Sequence, residues 1–230
     1  MILKTKSIKR YCHAITCALA LSITPAYADE SAASAWAGLS VGLNLSHLDV
    51  ASDISFVLAN SFSNPNDYEA GIDLSLEYMA PLTSNILLGV ELMASYNNGN
   101  AEDSFHYNGV NIHFENWRID AERSARILGK LALAATPTTL FYAGAGIERV
   151  HFSFSEHVLQ SGTTYNHSDT LLGHVLAVGI DQRLSETLSM RAELSHTEMD
   201  QQLYQGGIFQ SPTWIDPDVR ALRIGIRYHF

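Results

Sequence analysis

The residues best suited to chemistry in this chain are carboxylates and basic groups that occupy alternate positions of several segments. Alternate side chains of an extended strand project from one face. If such a face encloses its charges, they must pair with one another, because an unpaired buried charge is strongly destabilising. We therefore predict an internal network of paired charges with a structural or gating role. Its members are Glu77, Glu91, Arg126, Lys130, Arg191, Glu193, Arg223 and Arg227.

A second candidate chemistry is acyl transfer, which needs a histidine, a serine nucleophile and an acid. His151 and Ser153 would project from the same side of one strand, and Glu156 follows them closely. We keep an enzyme as an alternative, although we expect none and name no catalytic residue.

Metal binding is the third candidate chemistry, since neutral imidazole is a common ligand of zinc and copper. No histidine pair has the H-x-x-x-H spacing that places two rings on one face of a helix. We therefore predict no metal site and no cofactor. The histidines in or next to the predicted loops are His47, His106, His113, His151, His157 and His167.

The elements that would position these groups are long strands. Residues 68–78 place six apolar side chains on one face and three acids with glycine and serine on the other. Alternation over ten or more residues exceeds the usual five or six of a soluble strand. It matches the roughly 9–11 residues that a tilted strand needs to cross a membrane. Segments of this kind occupy residues 37–46, 68–78, 88–96, 119–133, 140–154, 172–181, 188–196 and 221–230.

The connections between these eight segments alternate in length, as they do in bacterial membrane barrels. We predict an all-β fold: an eight-stranded antiparallel up-and-down transmembrane β-barrel with a sealed polar bore. The short turns are at 81–85, 136–139 and 182–187, and the long polar loops are at 47–67, 97–117, 155–169 and 197–217.

Two places depart from the simple pattern. In residues 140–154 the alternation assigns the even-numbered positions to the polar face, but three of these positions carry apolar side chains, Val150, Phe152 and Phe154. This change of phase predicts a β-bulge near Glu148. Arg123 occupies a position that the alternation assigns to the apolar, lipid-facing side of its strand. We therefore place it near the outer rim of the barrel, where a charge costs about 0–1 kcal/mol.

The start of the chain predicts export. Residues 1–28 combine a basic beginning, a short apolar stretch and an Ala26-Tyr27-Ala28 cleavage pattern, so we expect a signal peptide followed by one barrel domain, residues 29–230. Cys12 and Cys17 lie in the segment to be removed, which excludes disulfides and cysteine chemistry from the mature domain. Residues 29–230 keep ten of the 14 basic residues and all 24 acidic ones, a formal charge of −14. Nucleic acid is therefore not an expected partner.

The end of the chain carries the clearest resemblance. A final alternating strand ends in Tyr228 and a terminal Phe230, and the chain also contains Tyr142–Gly146 and Leu188–Leu194. With the export signal, these segments resemble the OmpA-type, opacity-protein-like family of small outer-membrane barrels. Aromatic residues near predicted strand ends are typical of interfacial belts. They are Tyr68, Tyr78, Tyr96, Tyr142, Tyr228 and Phe230.

The resemblance implies a monomer in the bacterial outer membrane, with outer-membrane lipid and lipopolysaccharide as neighbours. It implies that Tyr228 and Phe230 form the signal for the barrel assembly machinery. It also implies a structural, adhesive or surface-antigen role in the envelope, in which outer loops contact a host surface. The alternatives are a narrow, porin-like ion channel and a lipid A-modifying enzyme, although the Asn that follows Ser in barrels of the latter kind is missing after Ser153.

Overall fold

The structure, a computed structural model, describes residues 31–56, 62–63, 66–98, 103–107, 110–158, 162–205 and 212–230. The predicted signal peptide lies outside these residues. Within them the chain forms one 3₁₀ helix, Ser34–Trp36, and eleven strands. The strands are β1 Gly38–Phe56, β2 Phe62–Ser63, β3 Asn66–Pro81, β4 Ile86–Asn98, β5 Asp103–Tyr107, β6 Val110–Thr136, β7 Thr139–Val158, β8 Thr163–Arg183, β9 Leu188–Met199, β10 Gln202–Gln205 and β11 Pro212–His229.

Eight of these strands close into one antiparallel ring. The order is β1-β3-β4-β6-β7-β8-β9-β11, and β11 pairs with β1 along its whole length to complete the circle. The three short strands β2, β5 and β10 extend the pairing of β1, β6 and β11. The predicted eight-stranded up-and-down barrel is confirmed, and its closure leaves the ring without an unpaired edge.

The two ends of the barrel differ. At one end, which we call the short-turn end, residues 82–85, 137–138 and 184–187 connect neighbouring strands, as predicted. At the opposite, outer end the predicted long loops are largely wrong, because the strands continue into them. β6 begins at Val110 and β7 ends at Val158. Backbone pairing does not require an apolar outer face, so these strands persist after the alternation of apolar and polar residues has ended.

A band of exposed apolar side chains surrounds the barrel, and we call it the apolar belt. Its presence agrees with a barrel whose outer face meets hydrocarbon. Its larger members are Leu39, Leu43, Leu45, Ile72, Leu74, Leu76, Tyr78, Leu88, Val90, Leu92, Tyr96, Ile127, Leu131, Leu133, Ile147, Leu172, Leu176, Val178, Met190, Leu194, Leu222, Ile224, Ile226 and Tyr228.

Toward the outer end the polarity of the barrel reverses, with apolar side chains inside and polar ones outside. Twelve buried apolar residues fill the interior there, and we call them the apolar plug. A bore that is polar throughout, as the sequence predicted, is therefore wrong. The plug consists of Leu48, Val50, Ile119, Ala121, Val150, Phe152, Phe154, Leu171, Met199, Ile215, Val219 and Ala221.

This reversal also explains why the predicted bulge near Glu148 is wrong. β7 pairs with β8 in one unbroken register from Thr139 to Val158. Glu148 and Phe152 both point inward, the first into the polar part of the interior and the second into the apolar plug. The side-chain direction stays in phase, and only the chemistry of the interior changes.

The irregularity lies instead in β6, between Ala121 and Arg123, where Glu122 has no partner residue in β7. As a result Ala121 turns inward and Glu122 turns outward. The alternation within residues 119–133 predicts the opposite, with Ala121 on the lipid side and Glu122 in the bore, and this prediction is wrong. Arg123 is exposed on the outer face, as the prediction placed it.

The short-turn end is closed by the segment that precedes β1. Trp36 is buried, and its indole Nε1–H donates to the carbonyl of Thr136 over 3.4 Å. The guanidinium of Arg183 lies 4.9 Å from its ring centroid, and His229 meets the ring edge-on. We call the buried apolar group around Trp36 the base cluster, which consists of Ala33, Trp36, Met79, Leu87, Ala132, Ala134, Leu140 and Tyr142. No helix in the described part of the chain is long and apolar enough to cross a membrane.

Candidate functional site

The structure brings all eight residues of the predicted charge network into one group at mid-height of the barrel. They come from β3, β4, β6, β9 and β11, and each points inward because its neighbours along the strand face outward. Every one of them is at most 3% exposed. The network lies between the apolar plug above it and the base cluster below it.

Glu91 is the centre of the network because its carboxylate meets four basic side chains. Its Oε1 accepts a hydrogen bond from Nη2 of Arg126 at 2.8 Å. Its Oε2 accepts from Nζ of Lys130 at 2.7 Å, from Nη1 of Arg191 at 2.5 Å and from Nη2 of Arg227 at 2.9 Å. Contacts between charged partners of this kind are about twice as strong as neutral hydrogen bonds.

Glu77 is the second carboxylate of the network and shares its partners with Glu91. Its Oε2 lies 2.6 Å from Nζ of Lys130 and 3.1 Å from Nη2 of Arg191. Its Oε1 lies 3.1 Å from Nη1 of Arg227. Three basic groups are thus held between two carboxylates, which fixes their positions from opposite sides.

Glu193 connects the remaining members. Its Oε1 accepts from Arg126 at 2.8 Å and lies 3.5 Å from Nη1 of Arg223. Its Oε2 accepts a hydrogen bond from the hydroxyl of Tyr142 at 2.8 Å. A phenol therefore belongs to this network, which the sequence analysis had assigned to the interfacial belt.

Tyr142 corrects that assignment, since it is only 5% exposed. Lys130 Nζ lies 4.2 Å and the Arg191 guanidinium carbon 4.6 Å from its ring centroid, so both cations meet its π-face. Tyr142 and Glu148 are six residues apart in one strand, so their side chains project from the same face. This spacing was the signal in the sequence for an inward position of Tyr142. Tyr78, Tyr96, Tyr228 and Phe230 are exposed as expected, and the side chain of Tyr68 lies outside the described residues.

Two aspartates complete the network beyond the eight predicted residues. Asp181 accepts from Nε and Nη2 of Arg191 at 2.6 and 2.5 Å, a bidentate contact. Asp73 lies 3.2 Å from Nε of Arg223. Five cations then face five carboxylates, so the charge of the group is balanced. Alternation marked both aspartates as inward, but only the register of the folded strands reveals their partners.

Two further buried acids accept hydrogen bonds from neutral donors. Glu148 accepts from the hydroxyls of Ser124 and Thr197, each at 2.7 Å. Glu69 accepts from the backbone N–H of Ala121 at 2.8 Å. Most charged groups of the interior thus bond to one another or to neighbouring hydroxyls, although some buried polar atoms, such as Nε and Nη1 of Arg126, have no hydrogen-bond partner. This arrangement suits a structural role better than the capture of a solute.

The arrangement around His151 does not have the geometry of a catalytic triad. Ser153 donates to Glu122 Oε1 at 2.5 Å instead of to the imidazole. His151 Nδ1 contacts the hydroxyl of Thr170 at 3.0 Å, and its Nε2 lies 3.8 Å from Glu122 Oε2. A base that does not touch the serine cannot take its proton in this state. The side chain of Glu156 lies outside the described residues.

The histidines show no shared centre in the part of the chain that the structure describes, where no group of three or more metal-binding side chains occurs. His157 Nδ1 contacts Thr164 Oγ1 at 2.9 Å, and His167 stacks on Phe154. The side chains of His106 and His113 lie outside the described residues.

The final strand presents Tyr228 and Phe230 on the outer face of the barrel, near the short-turn end. Their rings meet edge to face at 5.1 Å, and Phe230 is 75% exposed. The backbone N–H of Phe230 donates to the carbonyl of Leu39 at 3.1 Å. Both rings are thus accessible to a partner while the end of the chain stays attached to the sheet.

A closed ring of eight strands with an apolar outer band and a paired charged interior defines a small outer-membrane barrel. Residues 14–230 match the family described as outer membrane protein beta-barrel domain, and the chain belongs to that family. The resemblance seen in the sequence is confirmed, and the outer membrane is the location of this protein.

Solved structures of three other proteins are similar to this chain to different degrees. The outer membrane protein OprG from Pseudomonas aeruginosa is 17% identical, with a TM-score of 0.56, over 84% of this chain and 96% of that one. Ail, the attachment invasion locus protein of Yersinia pestis, is 10% identical, with a TM-score of 0.44, over 84% and 99%. The outer membrane protease OmpT from Escherichia coli is also 10% identical, with a TM-score of 0.46, over 84% and 96%. No curated protein sequence matches the chain.

Proposed function

We propose that this protein is a closed structural barrel of the outer membrane, whose elongated outer strands serve as an adhesive or antigenic contact surface. The observation that carries the proposal is that buried side chains occupy the interior at three successive levels in the part of the barrel that the structure describes. The base cluster, the charge network and the apolar plug follow one another along the barrel axis.

The filled interior argues against conduction for two physical reasons. An ion that passed the network would have to separate buried pairs, and breaking one such pair costs about 3–5 kcal/mol. In the apolar plug the ion would then meet mostly apolar side chains, with Glu69 beside Leu48 as a single acid among the described residues there, and these replace little of its hydration shell. The narrow channel therefore has less support than the structural role.

The outer strands supply a surface that suits contact with other molecules. Residues 163–170 of β8 are exposed almost without interruption. Next to them an open cleft of about 440 Å³ crosses β6, β7 and β8 on the outer side. Serine, asparagine and charged side chains line the cleft and provide both hydrogen-bond donors and acceptors. The lining residues are Arg118, Asp120, Ser153, Phe154, Ser155, Asn166, His167 and Ser168.

A conductance measurement tests the closed interior. Purified protein in planar lipid bilayers should produce no steady current above the lipid background. Large, steady currents from folded protein would contradict the proposal and favour the narrow channel.

A binding assay tests the contact surface. Cells that display the variant N166A/S168A, altered only on the exposed part of β8, should adhere less to a host epithelial layer than cells with the unaltered barrel. Glu186→Gln at the short-turn end is the matched control and should leave adhesion unchanged. Equal adhesion of all three would exclude this surface as the adhesive one.

Export and assembly belong to the same proposal. We expect cleavage after Ala28, so the protein from outer membranes should have the intact mass of residues 29–230.

Tyr228 and Phe230 would present the assembly signal, and their replacement by alanine should reduce the folded fraction in cells while refolding in detergent succeeds. Normal assembly of that variant would exclude the signal.

A further inference from the structure

Two arginines lie side by side on the outer face of the barrel, at the upper limit of the apolar belt. Arg123 of β6 and Arg149 of β7 are both exposed. Arg123 is opposite His151, and Arg149 is opposite Ala125, so the two arginines are diagonal neighbours across one strand pair. Side chains in that relation are about 7–8 Å apart at their backbones and can reach a common ligand.

These two arginines differ from the other arginines that the structure describes, because neither has a partner among the described residues. Arg123 and Arg149 make no hydrogen bond or ion pair with any residue that the structure describes. Arg118 contacts Asp120, and Arg183 contacts backbone carbonyls. Four more arginines belong to the charge network, and Arg220 interacts with other groups as well.

The surroundings of the pair place it at the boundary between hydrocarbon and the outer polar region. Tyr96 is opposite Arg123, and Leu172 is opposite Arg149, and both belong to the apolar belt. Ile147, two residues from Arg149 toward the short-turn end, is exposed as well. In the other direction the outer face carries Glu122 and other polar groups.

The nearby polar groups have partners of their own. Glu122 accepts a hydrogen bond from Ser153 and lies 3.8 Å from His151, and His151 contacts Thr170. Neither arginine forms an ion pair or side-chain hydrogen bond with Glu122 or another described residue, so the N–H donors of both can reach a ligand that approaches along the apolar belt.

We infer that Arg123 and Arg149 bind a phosphate group carried by a lipid of the outer leaflet. A guanidinium group matches phosphate geometry with two parallel N–H donors, and two such groups can hold one phosphate from both sides. The acyl chains of the same lipid would lie along the apolar belt below the pair. This inference goes beyond the proposed function and does not depend on it, since neither conductance nor adhesion enters its test.

Native mass spectrometry of the detergent-solubilised barrel tests the inference. The probes are lipid A with two phosphates and the same lipid after dephosphorylation. The unaltered barrel should retain the phosphorylated probe about tenfold more strongly or better, as expected for charged, bidentate hydrogen bonds. The variant R123Q/R149Q should lose this preference.

The matched control is Arg220→Gln, which removes an outer-face arginine that is directly opposite Asp49 in the register. It should keep the preference for the phosphorylated probe. A heat-modifiability gel establishes that all variants are folded. Equal retention of both probes by the unaltered barrel, an undiminished preference in R123Q/R149Q, an equal loss in the control, or full competition by inorganic phosphate would each overturn the inference.

Discussion

Glu91 carries one negative charge among four basic side chains, and its environment shows how the interior is stabilised. The carboxylate has lost its contact with water, and its contacts with the basic groups offset that loss. Because Arg126, Lys130 and Arg191 each touch a second carboxylate, the positions of all these groups are coupled.

Glu91→Gln keeps the shape of the side chain but leaves the network with one excess positive charge. We expect a loss of about 3–5 kcal/mol in the free energy of unfolding, measured by urea titration in lipid vesicles. Removal of one cation as well, in E91Q/K130M, should recover part of it. Glu186→Gln, in an exposed turn, should change stability by no more than about 0.5 kcal/mol. Equal effects of Glu91→Gln and Glu186→Gln would show that the network does not stabilise the barrel.

At the scale of strands, β7 and β8 fit together through a large side chain that covers a glycine. Tyr142 is directly opposite Gly179, and a Cβ at Gly179 would overlap the tyrosine ring. The missing side chain therefore makes room for the ring that donates to Glu193 and lies against Lys130. Packing between two strands thus fixes one wall of the charge network.

Gly179→Ala should displace Tyr142 and cost about 1–3 kcal/mol in the free energy of unfolding, as overpacking of a filled interior does. The matched control is Gly129→Ala, where the nearest atom to a new Cβ would be 3.6 Å away. That variant should be neutral or slightly more stable, because an added Cβ restricts the unfolded chain. The prediction fails if urea titration gives the two variants the same stability.

At the scale of the whole molecule, the barrel has two zones of opposite polarity. In the apolar belt the outer face meets hydrocarbon and the interior is charged. Toward the outer end the outer face is polar and the apolar plug fills the interior, as in a water-soluble barrel. The boundary runs close to Arg123 and Arg149.

Arginine substitutions on the outer face of each zone test this division. Leu194→Arg, at a position 58% exposed within the apolar belt, should cost about 2–4 kcal/mol and reduce membrane assembly. Ser168→Arg, on the exposed outer part of β8, should assemble normally. The folded fraction on a heat-modifiability gel measures both, and a similar fraction for the two would contradict the proposed boundary.

The sequence predicted the strands well wherever the alternation of polarity coincided with hydrocarbon outside. Residues 68–78 belong to β3, and their acids point inward as expected. The prediction failed where the surroundings changed but the strand continued, as at Phe152. A pattern of polarity reports the environment of a side chain, and it reports direction only while that environment stays the same.

The members of the charge network could be predicted, but their partners could not. Alternation places Glu91 and Arg227 inward, although 136 positions separate them in the chain. Their contact depends on ring closure and on the stagger of all intervening strands, which no local pattern contains. Trp36 was missed for the same reason, since the group that packs on its ring comes from a distant segment.

The length of β6 determines how far the protein stands above the membrane. Residues 110–122 precede the boundary at Arg123, and at about 3.3 Å per residue they span about 40 Å along the strand. With the tilt of about 40° usual in barrels, this part of β6 rises about 30 Å above the hydrocarbon boundary. A molecule approaching the cell from outside therefore touches these strands before it reaches the bilayer.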